Sequence, residues 1–253
     1  MNGQWLIPQW HAGAGVGACM TTRAGGVSAP PWESMNLGLG SGDARERVLA
    51  NRARFAESIG ATPVFLRQVH GASVVRVDAD AARGEPPQAD ASWTDEPGVA
   101  CTVLVSDCLP VLLAAPRAVG AAHAGWRGLS AGVVEACAAA VCEAASCRPG
   151  DLAAWLGACI GPDAFEVGAD VLDAFGVTPA ARDLSRFRYA PRADGDPRWR
   201  ADLAGLARDR LAALGVKRVS GDGWCTVADR SRFFSFRRDG VTGRMAAAVW
   251  IRR

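Results

Sequence analysis

An excess of charge of either sign is missing: 28 basic residues face 26 acidic ones, leaving a formal net charge of +2 over 253 residues. That balance argues against the basic face of a nucleic-acid binder and against a protein held to an anionic membrane. No apolar run approaches the roughly twenty residues of a membrane span. The softest stretch, 129–145, is interrupted by Glu135 and Glu143. An export leader, charged and then apolar, is not expected, because Gln4, Pro8, Gln9 and His11 break up the N-terminal segment. Eight cysteines are present, at 19, 101, 108, 137, 142, 147, 159 and 225, with no C-x-x-C pair among them. A disulfide-stapled secreted scaffold is therefore not expected, and a reducing, cytoplasmic setting is. Internal repeats, low-complexity linkers and H-E-x-x-H are also missing. Lysine is confined to Lys217, a compositional bias to which no function attaches.

What is present is ample core material, with 49% hydrophobic and 21% charged residues. Short apolar or alternating segments predict strands at 16–21, 64–69, 74–77, 99–105, 111–114, 119–123, 153–156, 217–220, 233–236 and 245–251. Helices are expected from a cap at Asp43 through Ile59, with Val48, Arg52, Phe55 and Ile59 at helical spacing. Others are expected from a cap at Ser130 to about Ala145, and over 169–175 and 201–214. Gly, Pro or charge marks 24–32, 83–89 and 189–199 as loops. Strands outnumber helices and often follow one another directly. That order predicts an α+β fold, a single domain over 1–253 of mixed β-sheets flanked by helices. Cys137, Cys142 and Cys147 are placed on one helix, at spacings that do not face one another, and read as structural.

Only three histidines exist, and two end strand candidates: His70, before Gly71, and His123, before Ala124-Gly125-Trp126-Arg127-Gly128. Cys108 likewise follows an apolar strand and Asp107. Three metal-capable side chains thus sit where strands give way to loops, and strand ends line one rim of a sheet. Two imidazoles and a thiolate suit Zn²⁺ with a fourth position open, which lowers the pKa of water there to roughly 7. In that reading Asp107 serves as a base or orients a ligand, and Arg127 holds an anion bidentately. Two other readings of the same residues stand: satisfied core side chains, or a nucleophilic Cys108 activated by a histidine.

Thr21-Thr22-Arg23-Ala24-Gly25-Gly26-Val27-Ser28, Asn36-Leu37-Gly38-Leu39, Gln68-Val69-His70-Gly71, Ser106-Asp107-Cys108-Leu109-Pro110 and His123-Ala124-Gly125-Trp126-Arg127-Gly128 follow one another along the chain. Ile160-Gly161-Pro162, Phe165-Glu166-Val167-Gly168, Phe233 to Gly240 and Thr242-Gly243-Arg244 continue the series in order over nearly the whole chain. In these segments the chain resembles the YfiH family, also called the laccase-domain or polyphenol-oxidase-like family. Ser106 stands where the family often has Ala, and Ala158 where Pro is common.

The resemblance implies a monomeric α+β enzyme with His70, Cys108 and His123 as ligands to Zn²⁺, or to Cu²⁺. It implies phosphorolysis of adenosine, inosine and S-methyl-5′-thioadenosine, with deamination of adenosine. Its small-molecule partners would be purine nucleosides and phosphate. Catalytic roles then fall to Cys108, His70, His123 and Asp107. Arg23 and Arg127 become phosphate contacts, and Asn36 a ribose contact or a turn former. Trp126 reads as a stacking surface for a base or as partly buried packing. Two alternatives are a copper-dependent polyphenol oxidase and a cysteine hydrolase acting on peptidoglycan precursors. A multicopper cluster needs more than three histidines, since each copper takes about two or three nitrogen ligands.

Overall fold

The computed structural model describes residues 5–180 and 183–253. Its strands in chain order are β1 (Val16–Met20), β2 (Thr62–Phe65), β3 (Val74–Arg76), β4 (Ala91–Thr94), β5 (Val99–Val105), β6 (Leu109–Ala114) and β7 (Val119–Ala124). There follow β8 (Ala153–Leu156), β9 (Glu166–Val167), β10 (Asp183–Leu184), β11 (Phe187–Tyr189), β12 (Trp199–Ala201), β13 (Arg218–Gly221) and β14 (Met245–Ile251). The helices are α1 (Arg45–Ile59), α2 (Trp126–Ser130), α3 (Val133–Ala145), α4 (Ala169–Ala174), α5 (Leu203–Ala213) and α6 (Phe236–Asp239). Two sheets carry the fold: a four-stranded one ordered β1-β14-β5-β2 and a six-stranded one ordered β13-β8-β6-β7-β4-β3. Both mix parallel and antiparallel pairs, and β10-β11-β12-β9 form a small antiparallel sheet beside them. This is the α+β architecture of mixed sheets flanked by helices.

The alternation of side chains along extended backbone sets the layers. On β14, Met245, Ala247 and Val249 join the core between the two main sheets, whereas Ala246, Ala248 and Trp250 face outward against Phe55 and Ile59 of α1. The six-stranded sheet divides the same way: Leu112, Val119, Ala121 and Trp155 point at the four-stranded sheet. Val111, Leu113, Ala122 and Leu156 point at α3 and α5. Strands buried on both faces explain why β5, β6 and β14 read as near-continuous apolar runs. The result is helix, sheet, sheet, helix. The chain crosses between the inner layers through only Ser106, Asp107 and Cys108, from β5 in one sheet to β6 in the other.

Several expectations fail for identifiable reasons. The run 233–236 is not a strand. Phe233 and Phe234 are buried between the sheets, but the Ser235 hydroxyl accepts from Arg238 N–H at 3.2 Å and caps α6. The helix expected from a cap at Ser130 begins later, as α3 with Gly132 (φ 90°) at its cap, and Ser130 is instead the last residue of the short α2. Asp43 does not cap α1, whose cap is Ala44; the Asp43 carboxylate instead accepts from Ser28 Oγ and Asn36 Nδ2. The strand expected over 64–69 stops at Phe65, and the bounds of the loop expected over 189–199 fall on residues of β11 and β12. Cys147 lies beyond the end of α3, not on it.

Candidate metal centre

The loop after β2 carries His70, the crossover carries Cys108, and the penultimate position of β7 carries His123. Their ligand atoms all lie within 4.8 Å of one another, the only such metal-capable group of three among the described residues. His123 shares the parity of Val119 and Ala121, so it points between the sheets where the sandwich opens. The His70 and His123 rings meet edge to face, centroids 4.8 Å apart. Two imidazoles and a thiol form a donor set that fits Zn²⁺ or a copper ion, and three protein ligands leave a position for a further group.

A residue that no motif announced organises the cluster. Asp90, fully buried just before β4, accepts from His123 Nδ1–H at 2.8 Å through Oδ1. The same oxygen accepts the His70 amide at 2.9 Å, and Oδ2 accepts Val69 and Gly71 amides at 3.1 and 2.7 Å. One carboxylate thereby positions both histidines, holding His70 at φ 62° and leaving Nε2 of His123 free to ligate. Burial alone would raise the Asp90 pKa; the hydrogen bonds from His123, Gly71 and Val69 outweigh it and hold the carboxyl below its ordinary range. Burial likewise pushes Cys108 up, but the two imidazoles, His123 foremost, bring the thiol down to about 6. Burial depresses His123, and the Cys108 thiolate with Asp90 carries it up to about 9. Without a metal the pair is thiolate and imidazolium.

The glycines of His123-Ala124-Gly125-Trp126-Arg127-Gly128 are packing requirements of the centre. A Cβ on Gly125 would lie 3.0 Å from Cys108 Sγ and 3.2 Å from His70 Cδ2. One on Gly128 would lie 2.8 Å from Gly71 O, so α2 could not seat against the loop that holds His70. Gln68 fixes that loop to β5, its amide donating to Leu104 O at 2.9 Å and accepting from Leu104 N–H at 2.8 Å.

His70, Cys108 and His123 line a cavity of about 870 Å³, within the size range of small-molecule sites. Five arginines, 52, 67, 127, 237 and 244, reach it, against the acids Glu85 and Asp107. Phe65, Trp126, Phe165 and Phe236 give it aromatic walls. Burial lowers the pKa of Arg52 to about 10, and its guanidinium lies 3.8 Å from the Phe65 ring centroid. Arg127 stands over Trp126, 4.3 Å from the ring centroid. Trp126 packs on the helix-side core and also lines the cavity.

Asp107 lines the cavity, with Oδ1 accepting from Thr226 Oγ1 at 2.6 Å and Oδ2 from Arg237 N–H at 2.8 Å. Its oxygens join three segments around Cys108. Arg23 and Asn36 do not line the cavity. The Arg23 guanidinium donates to Glu33 O and Arg230 O and covers Phe234, tying two loops together. Asn36 is fully buried: Nδ2 donates to Ser41 Oγ and Asp43 Oδ2, and Oδ1 accepts from Gly38 and Arg244 amides. Asn36 therefore forms turns and places Arg244. Asp90, Arg52 and the arginines at 67, 237 and 244 were not singled out from sequence. An acidic residue just before a strand and an arginine on a helix carry no spacing signal of their own.

The fold and its His–Cys–His cluster define a class. The family described as multi-copper polyphenol oxidoreductase laccase matches residues 17–252, and the chain belongs to this YfiH-like family. A purine nucleoside phosphorylase of Pseudomonas aeruginosa is 48% identical over 250 residues, covering 98% of each chain. The purine nucleoside phosphorylase YfiH of Escherichia coli K12 is 44% identical over 256 residues, covering 97% of this chain and 98% of its own. Among solved structures, YlmD of Geobacillus stearothermophilus superposes with a TM-score of 0.88 at 33% identity, over 100% of this chain and 98% of its own. A Neisseria meningitidis protein gives 0.86 at 42%, over 99% and 100%. No helix among the described residues is long and apolar enough to cross a membrane.

Proposed function

We propose that the chain is a metal-dependent purine nucleoside phosphorylase, acting on adenosine, inosine and S-methyl-5′-thioadenosine, that also deaminates adenosine. The observation that carries the reading is the position of the His70, Cys108 and His123 group on the wall of an arginine-rich, aromatic-walled cavity. The names of relatives that match along nearly the whole chain support the substrate class.

Zn²⁺ would be held by His70, Cys108 and His123. When bound, it supplies Lewis acidity, which purine deamination uses to make hydroxide available near neutral pH. The chain's own residues do the rest. Arg127 and Arg244 hold phosphate through charge-assisted hydrogen bonds. In phosphorolysis a phosphate oxygen bonds to the ribose C1′ as the bond to the purine nitrogen breaks, and the base leaves with that electron pair. The guanidiniums keep the attacking phosphate in place while positive charge develops on the sugar. Phe65, Trp126 and Phe236 offer faces on which a flat base stacks. Asp107, anchored by Thr226 and Arg237, fixes the turn that presents Cys108.

A cysteine-hydrolase reading draws on one specific observation, the thiol of Cys108 held down beside two imidazoles. The two readings separate on products. Purified protein is incubated with each nucleoside, with and without phosphate, beside a Cys108→Ala control. Free base and ribose 1-phosphate that require both phosphate and Cys108 are the expected result, with inosine formed from adenosine. Nucleosides left intact by zinc-loaded protein would sink the substrate assignment.

A further inference from the structure

Outside the cavity, the end of α3 brings together two thiols that sequence spacing had kept apart. Ser146 adopts a left-handed conformation (φ 51°), its amide donating to Glu143 O at 3.1 Å. The Cys147 amide then donates back to Cys142 O at 3.0 Å. These two bonds form a Schellman motif, in which the residue after the left-handed one folds over the residue five positions earlier. In most helices that contact is between apolar side chains. Here both positions are cysteines, Cys142 in the helix-side core and Cys147 packed against it.

We infer that Cys142 and Cys147 are a redox modification site that closes reversibly to a disulfide by exchange with a small-molecule disulfide such as oxidised glutathione. The two thiols are not equivalent. Cys147 is half-buried and reachable, whereas Cys142 is 8% exposed. Burial and the neighbouring Cys147 push Cys142 up to about 12, so Cys147 is the residue that attacks first. Its thiolate bonds to one sulfur of the small disulfide, whose sulfur–sulfur bond breaks and releases one thiol. Cys142 loses its proton and attacks the Cys147 sulfur, forming the internal bond and releasing the second thiol. Two protein thiols are oxidised, and one small disulfide is reduced to two thiols. The new bond pins the last turn of α3, which packs on the strand that carries His123.

The inference is independent of the metal centre and of the proposed activity. Full-length zinc-loaded protein is equilibrated in mixtures of reduced and oxidised glutathione, its free thiols are alkylated, and it is cleaved after glutamate without reduction. Cleavage after Glu135 and Glu143 puts Cys142 and Cys147 on separate peptides. The expected result is that these peptides run joined through Cys142 and Cys147, and separate on reduction. Cys142→Ser should instead trap glutathione on Cys147, and Cys147→Ser should give neither product. Wild-type protein in excess oxidised glutathione whose Cys147 stays free, stays glutathionylated, or joins Cys137 or Cys159 would overturn the inference.

Discussion

The Asp90 carboxylate and the His123 imidazole meet at 2.8 Å, and the same carboxylate caps the three amides of the loop that presents His70. Removing its charge should therefore act on two ligands at once. Asp90→Asn is expected to weaken metal binding by about 10- to 100-fold, the range seen for residues that support metal ligands. Chelator competition monitored by zinc release measures it. Affinity unchanged within twofold would show that the two histidines are held by other means.

Gly125 separates damage to the centre from damage to the fold. Its backbone, at φ −69° and ψ 164°, is open to any residue, yet a Cβ there would press on Cys108 Sγ and His70 Cδ2. Gly125→Ala should lose metal affinity at least tenfold, by analogy with other disturbed ligand shells. Its metal-free melting temperature should match that of metal-free wild type. The comparison requires only chelated samples and a thermal scan.

Cys108 should be the readily alkylated thiol in chelated protein at neutral pH. With its pKa brought down to about 6, it is thiolate above that pH, so the rate should rise through pH 6 and level off. Cys19 and Cys101, pushed up to about 12 by burial, should be silent. Saturating Zn²⁺ should protect Cys108, because a ligated thiolate is not a free nucleophile. Rapid labelling of Cys108 in zinc-loaded protein is what the hydrolase reading requires.

Asn36 lies outside the cavity but supports Gly38 and Arg244, which line it. Asn36→Ala leaves the Gly38 and Arg244 amides without their side-chain acceptor, at a cost of about 1–3 kcal/mol. For a chain of this size that lowers the melting temperature by about 2–4 °C per kcal/mol. The KM for phosphate should rise as well, through the displaced Arg244. A melting temperature equal to that of wild type would mean the loop holds itself.

The scarcity of histidine let His70 and His123 be weighed against their strands, but that pattern left the core and nucleophile readings open. Only the family resemblance pointed to His70, Cys108 and His123 as a ligand set. The sequence also conveyed the fold class, since strands outnumber helices and often follow one another directly. It did not convey the layers, because β5 and β14 are buried on both faces and read as near-continuous apolar runs. It was silent on Asp90, whose role comes from a neighbouring strand that brings it beside His123, and on four of the five arginines, which reach the cavity from α1, the loop after β2, α6 and the segment before β14. Phe233–Phe236 misled because three aromatics suggest a strand, whereas a single serine hydroxyl starts a helix. Cys147 misled because helical spacing says nothing about the turn that ends a helix.

Zinc titration tests the central claim most directly. Chelated protein is given Zn²⁺ stepwise, and phosphate-dependent release of hypoxanthine from inosine is followed at each step. The account predicts that activity rises linearly and reaches its plateau at one zinc per chain, and that Cys108→Ala remains flat throughout. Full activity in the chelated protein, or a plateau reached only at several metals per chain, would contradict it.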